Sequence, residues 1–247
     1  MIEDVWTVFW RDWLVLHRRL AKFILSRMVT PILYLVAFGW GLGRSMSWSG
    51  GSYLDYIVPG ILALNSMNIS FSSVGSPLNM SRLYHKTLEE YLIAPISSVS
   101  FVVGKILGGV VRGMLSSLVI LLLAWLFGAV LNLDGWFVLF LFCNCFLFAA
   151  LGVVAALLID SHEDMANFST YILLPMSFLC GTFFSPDRLP QAAAWVVELL
   201  PLTHASQSLR QLAGGGEIPF VSLAVLLLYG VAFSVWGVRA LEKLRRC

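Results

Sequence analysis

Long stretches without a charged residue dominate the chain. They extend over Tyr56 to Ser81, Gly113 to Leu133, Gly135 to Ile159, Met165 to Pro186 and Ile218 to Val238. Each reaches the roughly 20 residues that a helix needs to cross the hydrocarbon of a bilayer. Met28 to Gly43 is shorter, but Arg27 and Arg44 can snorkel from its ends, which makes it a sixth span. The pattern predicts an all-α integral membrane protein of six transmembrane helices, with residues 1–247 forming one membrane domain.

Three segments depart from this pattern. Residues 1–22 read as a helix lying in the membrane interface: Trp6, Phe9, Trp10, Trp13, Leu16 and Leu20 fall on one side, and Asp4, Arg11, Arg18 and Lys22 on the other. Trp6, Trp10 and Trp13 would sit at headgroup depth, with Arg11 and Arg18 turned toward anionic lipid. Residues 81–95 form a polar island in which Leu83, Tyr84, Leu88, Tyr91 and Leu92 recur at helical spacing and Lys86 stands four before Glu90. This predicts a short amphipathic helix, capped by Ser81 and stopped by Pro95. In residues 187–217, proline brackets the apolar Ala192 to Leu200, which is about half a crossing long. A helix from Thr203 to Leu212 should follow, ended by Gly214 to Gly216. Two readings stand for this segment: a re-entrant lining that carries Glu198, His204 and Arg210, or an exposed cap.

The second span is unusually polar, with Asn65, Ser66, Asn68, Ser70, Ser72 and Ser73. Such side chains in a membrane helix either line a polar path or hydrogen-bond to neighbouring helices. The third span holds Gly104, Gly108, Gly109 and Gly113, two steps of small residues four apart that favour close helix packing, with Lys105 and Arg112 on one face. The fourth, Trp136 to Leu158, is nearly featureless and suits either a bundle or a lipid-facing position.

Composition agrees with this class: 59% of residues are hydrophobic, 12% are charged and the mean hydropathy is +0.84, so a soluble domain is excluded. The net charge of +2 conceals an asymmetry. Lys and Arg cluster before the first span, around the island and at the C-terminus. By the positive-inside rule these lie in the cytoplasm together with both termini, and the loops around Arg44, Asp134 and 187–217 lie outside. Glu3 and Asp4 argue against a cleaved signal peptide. Cys143, Cys145 and Cys180 lie within apolar spans and Cys247 ends the chain, so neither disulfide nor metal site is expected.

No G-x-x-x-x-G-K-[ST] phosphate loop or H-E-x-x-H motif occurs, and His17, His85, His162 and His204 are dispersed. No catalytic residue is assigned, and the chain is expected to be a transport subunit rather than an enzyme. Nucleic acid is not an expected partner.

Tyr56-Ile57-Val58-Pro59-Gly60, then Thr87 to Pro95, then Gly181 to Pro186 with Leu189-Pro190 and Pro201-Leu202-Thr203-His204-Ala205, resemble in order and spacing the motifs of the ABC-2 type permeases. These are the membrane subunits of bacterial ABC exporters, and the last two pieces are most similar to the branch that exports nodulation lipo-oligosaccharides. The resemblance implies a multi-pass inner-membrane permease that dimerises with a second, identical copy and binds two copies of a separate ATPase. That ATPase, not this chain, would hold ATP and Mg. It also implies that the island is the coupling helix to the ATPase, with Leu83, Leu88, Tyr91 and Leu92 supplying an apolar face, Lys86, Glu89 and Glu90 setting its register, and Tyr84 among the coupling residues. A substrate path would pass Asn65 and Asn68 toward an outer gate near Phe183 and Phe184, with Glu198 and His204 beside it. The cargo would be an amphipathic or glycan-containing molecule moved outward. A secondary transporter remains as an alternative, and a membrane-embedded enzyme is a weaker one; the first should show an inverted repeat and the second a polar catalytic cluster at one depth.

Overall fold

A computed structural model describes residues 2–37, 53–181, 195 and 197–246. The described chain is helical, with α1 over Ile2–Arg18, α2 over Leu20–Tyr34, α3 over Tyr53–Leu83, α4 over Thr87–Ile93, α5 over Ser98–Leu126 and α6 over Gly135–Leu158. Next come α7 (His162–Phe168), a π-helical turn (Ser169–Leu173), α8 (Leu174–Leu179), α9 (Pro201–Ala213) and α10 (Phe220–Arg246). Five stretches are long and apolar enough to cross a membrane: Leu20–Ala37, Leu54–Leu83, Ser98–Leu126, Gly135–Leu158 and Phe220–Arg246. The expected span from Met165 to Pro186 is covered as far as Gly181 by α7, the π turn and α8, and the rest of it lies outside the described residues.

α3 and α6 pair along the middle of the bundle, and α5, α9 and α10 pack around them. The pairing is close because both helices offer glycine at the crossing. A Cβ on Gly152 would fall 2.8 Å from the Phe71 carbonyl oxygen, so the α3 backbone lies where a side chain would otherwise stand. The featureless α6 is therefore a central helix rather than a lipid-facing one. The glycines of α5 divide among three partners. A Cβ on Gly104 would meet Val8 at 2.8 Å, and one on Gly108 would meet the Asp12 carboxylate at 3.2 Å, so this pair receives α1. A Cβ on Gly109 would meet Val74 of α3 at 2.5 Å and Ala149 of α6 at 2.8 Å, which places α3 and α6 on the next face.

The interfacial helix stops four residues short of its expected end. Arg19 adopts a non-helical conformation, and the first span starts at Leu20 rather than Met28. The face buried by α1 is also different. Val8 is buried against α5 and Leu16 is buried too, whereas Trp6 is 57% and Trp10 44% exposed, so these aromatic residues face away from the bundle. Hydrophobic spacing alone could not separate a side that wets lipid from one that packs on protein, because both are apolar.

At the opposite end of the bundle α9 forms as anticipated. Pro201 occupies its first turn, where no amide hydrogen is required, and Gly214 caps it ahead of Gly215 at φ +73°. Arg210 fastens this helix. Its guanidinium lies 3.9 Å over the Tyr56 ring, Nε donates to the Tyr56 carbonyl at 3.1 Å and Nη2 to the Gly181 carbonyl at 2.9 Å. Of the expected Ala192 to Leu200 helix, Trp195 and 197–200 are described, and Phe183 and Phe184 lie outside the described residues.

Candidate functional site

The island is not one helix. Ser81, Arg82 and Leu83 are the last turn of α3, Tyr84 and His85 turn the chain, and α4 starts at Thr87. Lys86 makes the break, with φ at +53° in the left-handed region that most side chains avoid. It therefore precedes α4, and Lys86 and Glu90 do not form the expected ion pair. Ser81 bonds the Thr87 hydroxyl across the break instead of capping a helix that starts with it.

The two faces of α4 carry out different tasks from those expected. Leu88 is 3% exposed, packed among Val8, Val74, Leu78 and Phe101 of its own chain. Tyr91 stacks edge-on to Phe101 with ring centroids 4.9 Å apart, and Arg11 donates to its hydroxyl while lying 5.2 Å over its ring. Leu92 is half-buried against the same cluster, and Leu83, at the end of α3, is half-buried as well. The surface turned away from the bundle is Tyr84, Lys86, Glu89, Glu90 and Ile93, with Ile93 85% exposed. Helical spacing located the apolar side chains but could not tell which of them the bundle itself would bury; Ile93 was overlooked because it extends the Tyr91-Leu92 run.

Three other elements hold the segment in place. Arg245 from the end of α10 donates to the carbonyls of Ile96 at 3.1 Å and Ala94 at 3.2 Å, just past α4. Arg82, at the end of α3, donates to the Leu157 carbonyl at 2.7 Å and to that of Ile159 at 3.3 Å, and pairs with Asp160. A cation there meets the unpaired carbonyls and negative dipole end of α6. Asn79 adds a bond to the Ile159 carbonyl at 2.9 Å. From the other side, Arg11 ties α4 to α1, so this residue does more than anchor in lipid, while Arg18 stays exposed and Trp13 is half-buried.

Asp12 is the residue that sequence reasoning missed. Lys105 Nζ contacts both of its oxygens, at 2.9 and 3.0 Å, and Arg112 donates to its backbone carbonyl at 3.4 Å. A carboxylate among the aromatic residues of α1 and a lysine among the glycines of α5 were each visible; each needed the other as a partner in an apolar setting.

The polar side chains of α3 separate into two groups. Asn65 donates to the Ser116 hydroxyl at 2.8 Å, and Asn144 of α6 reaches the Ser66 hydroxyl at 2.7 Å and the Ala63 carbonyl at 3.0 Å, so these bond helices together. Asn65, Asn68, Ser72 and Ser76, three and four residues apart, stay half-exposed and form a polar stripe about 16 Å long. Asn68 bonds only within its own helix, to the Leu64 carbonyl at 3.1 Å. It opens on a cavity of about 280 Å³ with Tyr34, Ser169, Thr170 and Ser177, beside the π turn. Such π turns recur at functional sites because they leave carbonyls without their usual partners. His204 bonds the Glu198 carbonyl at 2.9 Å and Ser222 at 3.2 Å, and the Glu198 side chain is exposed. Among the described residues no cluster of potential metal ligands occurs.

A multi-pass helical membrane protein with a clamped helix outside its bundle and a polar stripe within it is the class these features define. The family model for the ABC-2 type transporter matches residues 3–213, and the chain belongs to that family, whose members are the membrane components of ABC transporters. It is 26% identical over 242 residues to the inner membrane transport permease YadH of Escherichia coli K12, covering 94% of each chain. It is 27% identical over 234 residues to nodulation protein J of Rhizobium leguminosarum bv. viciae, covering 91% of this chain and 88% of that protein. The corresponding figures for nodulation protein J of Rhizobium meliloti are 26% over 228 residues, 89% and 85%.

Proposed function

We propose that this chain is the inner-membrane permease of an ATP-driven exporter, working as a dimer with two copies of a separate ATPase and with both of its termini in the cytoplasm. The observation that carries this reading is α4 with its flanking residues, held to α1, α3 and α10 by hydrogen bonds yet presenting Glu89, Glu90 and Ile93, and Tyr84 of the preceding turn, away from the bundle. A helix so fixed transmits a push to three membrane elements at once. Its outward face combines an apolar anchor with acidic residues, which suits docking on a protein. Leu88, Tyr91 and Leu92 then belong to the transmission side of the helix and Ile93 to the docking side. ATP and Mg would act on the ATPase, and this chain would convert its closure into movement of the spans.

The polar stripe of α3 supports a path for a cargo with a polar part, and the apolar α2, only 12% buried, leaves a face for a second copy. The names of the relatives, a transport permease and a nodulation protein, fit an amphipathic or glycan-containing cargo. Candidate P-loop ATPases from neighbouring reading frames can be co-expressed with this chain and reconstituted into proteoliposomes. Glu89→Lys combined with Ile93→Asp should abolish co-purification of the ATPase while the permease stays monodisperse. An ATPase retained by this variant would reject the docking face, and cargo movement without ATP would reject the class.

A further inference from the structure

Two cavities meet at one arginine. The first, of about 370 Å³, lies between α1, α3, α4 and α5, and is lined by Arg11, Lys105 and Arg112 with Asp12 as its one carboxylate. The second, of about 340 Å³, lies where α1 passes into α2; Arg19, Lys22 and Arg112 line it, and no acidic residue does. Ser26, Ser72, Ser73 and Ser76 place hydroxyls in the second cavity, and Leu16, Phe23 and Pro77 give it an apolar wall.

The charges there do not balance. Both Asp12 oxygens are engaged by Lys105, and Arg112 reaches only the backbone carbonyls of Ser73 at 2.8 Å and Asp12 at 3.4 Å. Arg112 stands directly before the uncharged run Gly113 to Leu133 and is half-buried between α1, α3 and α5. A half-buried guanidinium that shares its nearest carboxylate with Lys105 has room for an anion to complete its pairing. The side chains of Arg19 and Lys22 make no hydrogen bond or ion pair among the described residues, so their donors are available. Hydroxyls mixed with a guanidinium fork suit the tetrahedral oxygens of a phosphate, and the apolar wall suits a chain attached to it.

We propose that the two cavities flanking Arg112 form one site for the phosphate headgroup of a membrane amphiphile, at the basic end of the α3 stripe. Arg112 holds the phosphate from the protein side, Arg19 and Lys22 close on it from the membrane side, and the tail lies along Leu16 and Phe23. This assignment concerns binding alone and stands whether or not the chain exports anything.

The test uses the purified full-length chain in amphipol, titrated with dihexanoyl-phosphatidic acid, dihexanoylglycerol and inorganic phosphate. Phosphatidic acid should bind saturably and weaken with added salt, dihexanoylglycerol should not saturate, and inorganic phosphate should bind at least about tenfold more weakly for lack of the tail contact. Arg112→Gln should weaken phosphatidic acid at least about tenfold, and Arg19→Gln with Lys22→Gln about threefold, as expected for lost charge-assisted hydrogen bonds. If Arg112→Gln fails to fold, the exposed double variant decides alone. Binding unchanged in the folded variants, or saturable binding of dihexanoylglycerol, would overturn the site. Inorganic phosphate binding as tightly as the lipid would overturn the amphiphile and leave a free-phosphate site.

Discussion

α3 and α6 are comparably buried, with 72% of an apolar 18-residue stretch of each inside the bundle, yet they differ in what they carry. α6 is apolar except for Asn144, whose amide is fully buried and bonded to α3. α3 is studded with amides and hydroxyls, and Asn68, Ser72 and Ser76 remain reachable from outside the chain. Burial alone therefore does not call for polarity, nor does polarity follow from the need to bind helices together, since one buried amide serves α6. The surplus on α3 lies along the side where the bundle leaves openings. Within α4 the same division recurs on a smaller scale, with Leu88 sealed inside and Ile93 left outside.

The comparison can be broken most severely at the helix crossing. Gly152→Val would drive a side chain into the Phe71 carbonyl, a backbone atom that cannot rotate away, and should cost about 3 kcal/mol. A denaturant titration in detergent reads this; an unchanged midpoint would mean that α3 and α6 do not approach so closely. Next in size is α4. Leu88→Ala should cost about 2 kcal/mol, at the low end for a buried leucine because α4 lies at the edge of the bundle. Ile93→Ala should leave the midpoint in place while lowering ATPase association. Equal losses of stability from the two would erase the distinction between the faces.

Asn144→Leu should cost about 1 kcal/mol, within the range measured for side-chain hydrogen bonds between membrane helices. Ser66 keeps its own bond to the Ala63 carbonyl at 3.0 Å, so no donor is stranded. The smallest effect on stability, under about 0.5 kcal/mol, belongs to Asn68→Leu, because its amide bonds the Leu64 carbonyl in the same helix rather than a neighbouring one. Transport in proteoliposomes should nevertheless fall for Asn68→Leu and hold for Asn144→Leu scaled to folded protein. The reverse ranking would assign the polar path to α6 and the glue to α3.

Much of the helical layout was legible because a membrane helix must satisfy its backbone internally and be long enough to cross, and both demands are written along the chain. α9 was legible from its punctuation, Pro201 in the first turn and Gly214 after the last. The helix over 81–95 was legible as amphipathic but not in its limits, because Lys86 takes a left-handed conformation that residue type does not announce. The clamp on it was not legible at all: Arg11, Arg82 and Arg245 read as positive-inside charges, and only the fold brings them to Tyr91, the end of α6 and the Ala94 carbonyl.

By itself, then, the order of residues determined an all-helical membrane chain, the polar character of α3, the short helix outside the bundle and, through its motifs, the family. Those follow from hydrophobicity, backbone satisfaction and local capping, each of which acts within some twenty residues. Tertiary structure alone decided that α6 is central, that Leu88 turns inward and Ile93 outward, and that Asp12 meets Lys105 across 93 positions of sequence. The physical reason is that an apolar side chain gains by leaving water whether it meets lipid, its own bundle or a partner, and a charge needs a counter-charge without specifying which. Only the packing of one helix against another makes that choice.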